Sequence, residues 1–508
     1  MFLLIVYFVA AVVCIVLAIK TDYKKTFGII AGILCVALVC NFAIKACTTG
    51  KRRYTISTAE EFLNVDVSNL MEQTGEVDLT ADIDFAGIEY KTVDLSGGNG
   101  VVLDGNGHTV KNITLTVYEE NKEFGIGLLQ GWNVTVKNIT FENVTINYQG
   151  QASAVGGVMG KIKRDTQFEN VKISGKINAP NSENVGSFVG NSVNVYSSYD
   201  TKTYILTVKN CESLMEINGK ENVGGIIGNG ALSAQSSKNT GAVNGKDNVG
   251  GIVGKASGNV SGVENYGKVE SAGIAGGIVG YAEKSALISK SKNGAEIVGA
   301  AKTGGIVGVL GENASIDGCV NLPEGKITAS SKDSDGFAKV GGIVGTTEKG
   351  SNVFSCTNQG EVVATYSKVG GVVGYSLGGV TNCKHEGKVT GADDVGGIIG
   401  HMKNNSTVSS CIVTGTVTGG ARVGGIMGRF GSDDFSTNLK SALGLNDITI
   451  MNCSVSGEIT ANSYGGGLIG LIVNDTVDGE YLETNTFDGK LTVGGAVSTN
   501  LWVVELKD

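Results

Sequence analysis

Apolar and polar residues alternate in short stretches along most of the chain, and these stretches end at glycine or asparagine. In residues 133–146 (NVTVKNITFENVTI) almost every second residue is apolar. A period of two is typical of a β-strand with one buried face. Between such stretches, no segment shows the helical period over the roughly 10–12 residues that a crossover helix requires. The pattern therefore predicts an all-β fold made of many short strands.

A hexapeptide, x-Gly-Gly-apolar-apolar-Gly, repeats within this pattern. Eleven clear copies run from VGGVMG at 155–160 to GGGLIG at 465–470, and a weaker copy, GIGLLQ, lies at 125–130. Most successive copies end 26–30 residues apart, and three longer intervals contain insertions. A second repeated unit lies between the hexapeptides, for example CTNQGEVVAT at 356–365 and CKHEGKVTGA at 383–392.

A repeat of this size cannot bury its own apolar face, so neighbouring repeats must stack. Short strands that stack coil upon coil, about 4.8 Å apart, form a parallel β-helix, which we predict to be right-handed. Paired glycines would permit positive φ angles and a close approach of the backbone. Cys356, Cys383, Cys411 and Cys453 share one repeat position, so we expect an inward column of small, inert thiols.

Two apolar runs, at 2–19 and 27–44, precede the repeats and are separated by a lysine-containing loop. Each run has 18 residues, which is close to the shortest helix that crosses a bilayer. We therefore predict a two-helix transmembrane hairpin, with membrane contact through residues 2–44. A cleaved signal peptide and a lipidated Cys47 are the alternatives. Lysines on both sides of the second run leave the orientation undetermined.

The start of the repeat region has its own signal. Thr58 and Glu61 have the spacing of a capping box, which predicts a short helix from about Ala59 that would cover the open edge of the first coil. The predicted organisation is a transmembrane anchor at 1–47, an N-terminal cap with the first coils at 48–124, the repeats at 125–470 and a C-terminal cap at 471–508.

Composition narrows the class of protein further. The chain has 78 glycines but only 2 prolines, which excludes collagen. The net charge of −9 is spread over 508 residues without a basic cluster, so no nucleic-acid partner is expected.

Histidines, carboxylates and cysteines are the residues that could supply catalysis or bind a metal ion in this chain. The three histidines, His108, His385 and His401, lack the spacing of a zinc-binding H-E-x-x-H helix, and no C-x-x-C pair is present. His108 belongs to a DGNGH turn and is expected to be structural, whereas His385 and His401 are expected in exposed turns. Asp104 is expected in a tight turn and the pair Asp393–Asp394 in a solvated one. We therefore predict no catalytic residue, no metal site and no cofactor.

The longest insertions are where a solenoid usually carries binding residues. They lie at 191–204 and 429–446, and each contains aromatic residues. Exposed aromatic rings suit contacts with glycans or proteins. The candidate ligand-binding residues are Tyr196, Tyr199, Tyr204, Phe430 and Phe435.

The hexapeptide repeats resemble the GLUG motif of bacterial surface proteins, which include some immunoglobulin A-cleaving proteases and large adhesins. A strand-helix-strand segment that precedes GLUG repeats in such proteins is also resembled here, at 54–64 (YTISTAEEFLN), 75–84 (GEVDLTADID) and 102–109 (VLDGNGHT). The resemblance therefore covers about residues 54–470. It implies a membrane-anchored, extracellular structural or adhesive rod whose loops bind a host or neighbouring-cell ligand. Two alternatives remain: a polysaccharide-active β-helix enzyme, and a membrane-bound scaffold subunit with the anchor inverted.

Overall fold

The repeats form one continuous stack of β-strand coils. The computed structural model describes residues 53–68, 75–98, 100–117, 119–197, 200–329, 331, 336–403, 406–431, 449–473 and 484–505. A complete coil contains five short strands, and most of their inward residues are apolar. One such coil consists of Lys339–Gly341, Val344–Thr347, Asn352–Phe354, Thr357–Asn358 and Glu361–Ala364. The next consists of Val369–Gly370, Val373–Ser376, Gly379–Thr381, Lys384–His385 and Lys388–Thr390.

Each strand pairs in parallel with the equivalent strand of the next coil. Val340 pairs with Val369, Val369 with Val395, and Val395 with Val423. This register follows the spacing of the hexapeptides, so every coil satisfies the backbone groups of its neighbours. The predicted parallel β-helix is confirmed as a stack of parallel coils, while its right-handed sense stays a prediction.

Of the two roles expected for the hexapeptide glycines, close approach of the backbone is confirmed and positive φ angles are not. The glycines from Gly156 to Gly470 in the hexapeptides do not adopt positive φ angles; the left-handed conformation falls instead on the residue before the hexapeptide, such as Asn222 (φ 49°) and Asp394 (φ 51°). A Cβ added at Gly251 would collide with the carbonyl oxygen of Gly277 in the next coil. The repeated glycines are therefore required by close packing between coils, and both apolar residues of the hexapeptide point inward, as at Ile226 and Ile227.

Buried side chains stack in columns along the core. The cysteine column is confirmed and also includes Cys319, which pairs in register with Cys356 through the adjoining strands. All of these thiols are free and buried. Burial raises the pKa of the Cys356 and Cys211 thiols, which favours their protonated form, whereas hydrogen bonds with Cys356 and Cys411 lower the pKa of Cys383.

An asparagine column runs two residues beyond the cysteine position. Each side-chain amide donates to the side-chain oxygen of the next coil, at 2.8–3.1 Å, and to a main-chain oxygen of its own coil. The column consists of Asn239, Asn265, Asn293, Asn321 and Asn358, and it ends at His385, whose Nδ1 lies 3.2 Å from the amide nitrogen of Asn358. His385 is completely buried, so the prediction that it lies in an exposed turn is wrong.

The helix at the start of the repeats is confirmed. It spans Ala59–Leu63, and Thr58 and Glu61 form the expected reciprocal capping box. Phe62 on its inner face is buried, so the helix packs against the first coils. The Asp104 turn is confirmed as well, since the Asp104 carboxylate accepts from the Asn106 amide at 2.9 Å.

The predicted fold class needs one correction, because it included a two-helix transmembrane hairpin. Residues 1–52, which contain the predicted anchor at 2–44, lie outside the described residues. Within the described residues, no helix has the length and apolar character needed to cross a bilayer. The fold class is therefore corrected to an all-β solenoid, and the transmembrane hairpin is not supported.

Candidate functional site

The hexapeptide corner brings two columns of side chains together on one face of the stack. The first column is formed by the residue before each hexapeptide and the second by the residue after it. The first column contains Asn184, Asn222, Asn248, Ile274, Lys302, Lys339, Lys368, Asp394, Arg422 and Tyr464. The second contains Lys161, Asn191, Asn229, Lys255, Tyr281, Val309, Thr346, Tyr375, His401, Arg429 and Leu471. We call the channel between these two columns the furrow.

In the coils that contain residues 337–431, the furrow is filled by the protein's own side chains. The ammonium group of Lys368 lies 3.8 Å from the ring centroid of Phe337 and 4.7 Å from that of Tyr375. Lys339 of the preceding coil lies 5.3 Å from the Tyr375 ring. Both lysines are buried, and cation–π contacts of this kind are strongest where water is excluded.

A buried ion-pair cluster follows in the next coils. Asp394 is completely buried and forms ion pairs with Arg422 of the next coil and, at 3.9 Å, with Arg429. Burial alone would lower the pKa of Arg422. The negative charges of Asp394 and Asp393 outweigh this effect and raise the pKa above its usual value, so the guanidinium group stays charged. The prediction of a solvated Asp393–Asp394 turn is therefore wrong for Asp394, because Asp394 is buried. Its two arginine partners supply the opposite charge that a buried carboxylate requires.

His401 lies beside this cluster rather than in an exposed turn. It is completely buried, its Nε2 atom is 2.8 Å from the Gly431 carbonyl oxygen, and its ring packs edge-to-face on Tyr375. His108 is half-buried and contacts Asp82 at 3.1 Å, in keeping with a structural role. Among the described residues, no group of three or more His, Cys, Asp or Glu side chains could hold a metal ion.

The furrow is open in the earlier coils. There it forms a groove of roughly 660 Å³ lined by Asn248 and Ile274 of the first column and by Lys255 and Tyr281 of the second, with Glu283 and further charged residues at its edge. The same two repeat positions are therefore closed by internal contacts in the coils of residues 337–431 and accessible to a ligand in those of residues 247–284.

A second groove, of roughly 570 Å³, lies beside the insertion predicted to bind ligands. The insertion forms an antiparallel hairpin, Val193–Ser197 with Asp200–Thr203, outside the parallel stack. Thr203 and Ile205 at its foot line the groove. On the opposite side, the segment between Ala256 and Val260 has two more residues than the equivalent segment of the coil before it, and this bulge forms the groove wall.

The aromatic residues predicted to bind ligands are dispersed. Tyr204 and Phe430 are buried, 8% and 2% exposed, and belong to the core. Tyr196 lies on the first strand of the hairpin. Tyr199 and Phe435 lie outside the described residues. What the sequence interpretation missed is Ile205, one residue beyond Tyr204, which is 46% exposed and lines the groove.

The stack of parallel coils defines the chain as a β-solenoid protein. No family model matches its sequence, and no curated protein matches it either. Among solved structures, it is similar to the crystal structure of a protein from Bacteroides ovatus that is provisionally named an immunoglobulin A1 protease. The identity is 21%, the TM-score is 0.36, and the match covers 55% of this chain and 77% of the other. At this distance the likeness transfers neither a site residue nor an activity.

Proposed function

We propose that this chain is a surface-associated adhesive solenoid of the GLUG type, which binds a glycan or protein ligand outside the cell. The groove at the foot of the hairpin carries this proposal. It combines exposed apolar side chains, Ile205 and Leu287 at 46% and 37%, with the hydroxyl groups of Thr203, Ser233 and Ser289. Apolar contact with a few polar groups is typical of a ligand site.

The solenoid supports such a role because it holds the groove rigidly. The floor of the groove includes Leu232, which pairs in register with Val260, as Val260 does with Ile288, and all three residues are buried. A site placed on stacked strands keeps its geometry better than one placed on loops alone. The hairpin projects beside this floor, where it can contact a ligand that enters the groove.

The test is a binding screen of the full chain against glycan arrays and immobilised extracellular proteins, followed by substitution of the groove. We expect Ile205→Ser combined with Leu287→Ser to weaken the binding of any ligand found by about tenfold or more, because both substitutions remove apolar contact at the site. Ile412→Ser is the matched control, since Ile412 is 37% exposed but does not line the groove.

The proposal is contradicted if the double variant binds as well as the unchanged chain. It is also contradicted if Ile412→Ser weakens binding as much as the double variant does. Thermal unfolding of each variant shows whether a loss of binding comes from a loss of fold.

A further inference from the structure

The furrow contains tyrosine at two equivalent positions with different surroundings. Tyr281 and Tyr375 both belong to the second column, with Val309 and Thr346 between them. At Tyr375, the first-column residues of the same coil and of the preceding coil are Lys368 and Lys339, and both ammonium groups face the ring. At Tyr281, the corresponding first-column residues are Ile274 and Asn248, so these two positions supply no cation to that ring.

Carboxylates nevertheless surround the Tyr281 position. Burial raises the pKa of the Tyr281 hydroxyl, and the negative charges of Glu348, Glu283 and Glu312 raise it further. Two of these are ion-paired, Glu283 with Lys255 at 2.7 Å and Glu312 with Lys284 at 3.1 Å.

With Asp247, which lines the groove, the carboxylates near Tyr281 number four. Lys255 and Lys284 pair with two of them, and Lys302, which pairs in register with Ile274 from the next coil, adds a third positive charge, so one negative charge remains in excess. The open furrow thus presents an aromatic ring, an apolar wall at Ile274 and excess negative charge.

We propose that this open stretch of the furrow binds a lysine side chain from an extended, basic segment of a partner protein. The ammonium group lies over the Tyr281 ring, as those of Lys339 and Lys368 lie over Tyr375, and its charge is balanced by Glu348 and Asp247, with which Lys255 and Lys284 do not pair. The aliphatic part of the lysine side chain packs on Ile274. A long, flexible side chain fits better than an amino sugar, whose ammonium group is attached directly to its ring, because the furrow's own occupants at Tyr375 are lysines.

This site shares no lining residue with the groove at the foot of the hairpin. It is therefore an additional subsite, and its test does not depend on the outcome of the groove experiment.

The test measures the binding of a blocked tetralysine peptide to the full chain by calorimetry. We expect Tyr281→Ala to weaken binding about three- to tenfold, because it removes the cation–π contact, and Tyr281→Phe to retain most of the affinity. The matched control is Tyr266→Ala. Tyr266 is 45% exposed and donates to Glu264 at 3.0 Å, so it is another tyrosine beside a carboxylate, away from the furrow.

Two further probes distinguish lysine recognition from other sources of binding. The same peptide with acetylated lysines should not bind, because acetylation removes the charge. A chitosan oligosaccharide should bind more weakly than tetralysine; stronger binding of chitosan would overturn the assignment to a protein partner. The proposal is also overturned if Tyr281→Ala, with its fold shown intact by thermal unfolding, binds tetralysine unchanged, or if Tyr266→Ala reduces binding equally.

Discussion

At the scale of single residues, the asparagine column ends at a buried histidine, His385. The side-chain amide of Asn358 donates a hydrogen bond to His385. The residue at this position in the next coil is Val413, whose side chain cannot accept a hydrogen bond from His385. Within the described residues, the Nε2 atom of His385 makes no hydrogen bond of good geometry, and the Thr416 backbone offsets only part of the effect of burial. A histidine at this position must stay neutral, because a buried charge without a partner is costly.

This arrangement predicts a specific sensitivity to acid. Burial lowers the pKa of His385 to about 4, below its usual value of 6.5, so the unfolded chain takes up this proton first as the pH falls. The free energy of unfolding should therefore decrease as the pH falls from about 6.5, by about 3 kcal/mol near pH 4. His385→Asn, which restores the residue of the preceding coils, should remove this part of the decrease in denaturant titrations.

His108→Asn is the control for that experiment, since His108 is half-buried on the surface. It should leave the difference between neutral and acidic pH almost unchanged. Equal acid destabilisation of the wild-type chain and His385→Asn would show that His385 is not the group responsible.

At the scale of the strand, an outward column of alternating charge runs along successive coils. It lies one residue before the inward column that contains Val269, Ile297 and Ile327. Its members are Lys268, Glu296, Lys326, Glu361, Lys388, Thr416, Glu458 and Lys490. Lysine and glutamate alternate along it except at Thr416, so each charged residue meets the opposite charge in the next coil, which disfavours a shift in register.

Reversing one charge in this column should destabilise the stack modestly. Glu361 contacts Lys326 and Lys388, each at 3.7 Å, and all three are solvent-accessible. Glu361→Lys would place positive charges on three successive coils. It should lower the free energy of unfolding by about 1 kcal/mol at low salt and by less at high salt. Glu361→Gln should cost less. A loss that does not depend on salt would argue against an electrostatic origin.

At the scale of the whole molecule, the repeat made the architecture predictable. Each coil meets the same neighbours, so the spacing of the hexapeptides directly gave the register that pairs Val340 with Val369. The inward cysteines followed from the same logic, because residues at one repeat position must stack.

The candidate sites were harder to predict because the environment of a residue depends on the neighbouring coils. His385 stands two residues after Cys383, where Asn358 stands after Cys356 and Asn321 after Cys319; aligning the repeats on cysteine would have indicated its burial. Asp394 could have been placed beside Arg422 in the same way. Ile205 had no such signal, since its exposure depends on the hairpin and on the bulge in a later coil.

The proposed surface function makes the molecule a rigid stack that presents binding grooves outside the cell. The most direct test labels intact and permeabilised cells of the producing organism with antibodies against the full chain. We predict strong labelling of intact cells, with little increase after permeabilisation. Labelling that appears only after permeabilisation would contradict the proposed surface function.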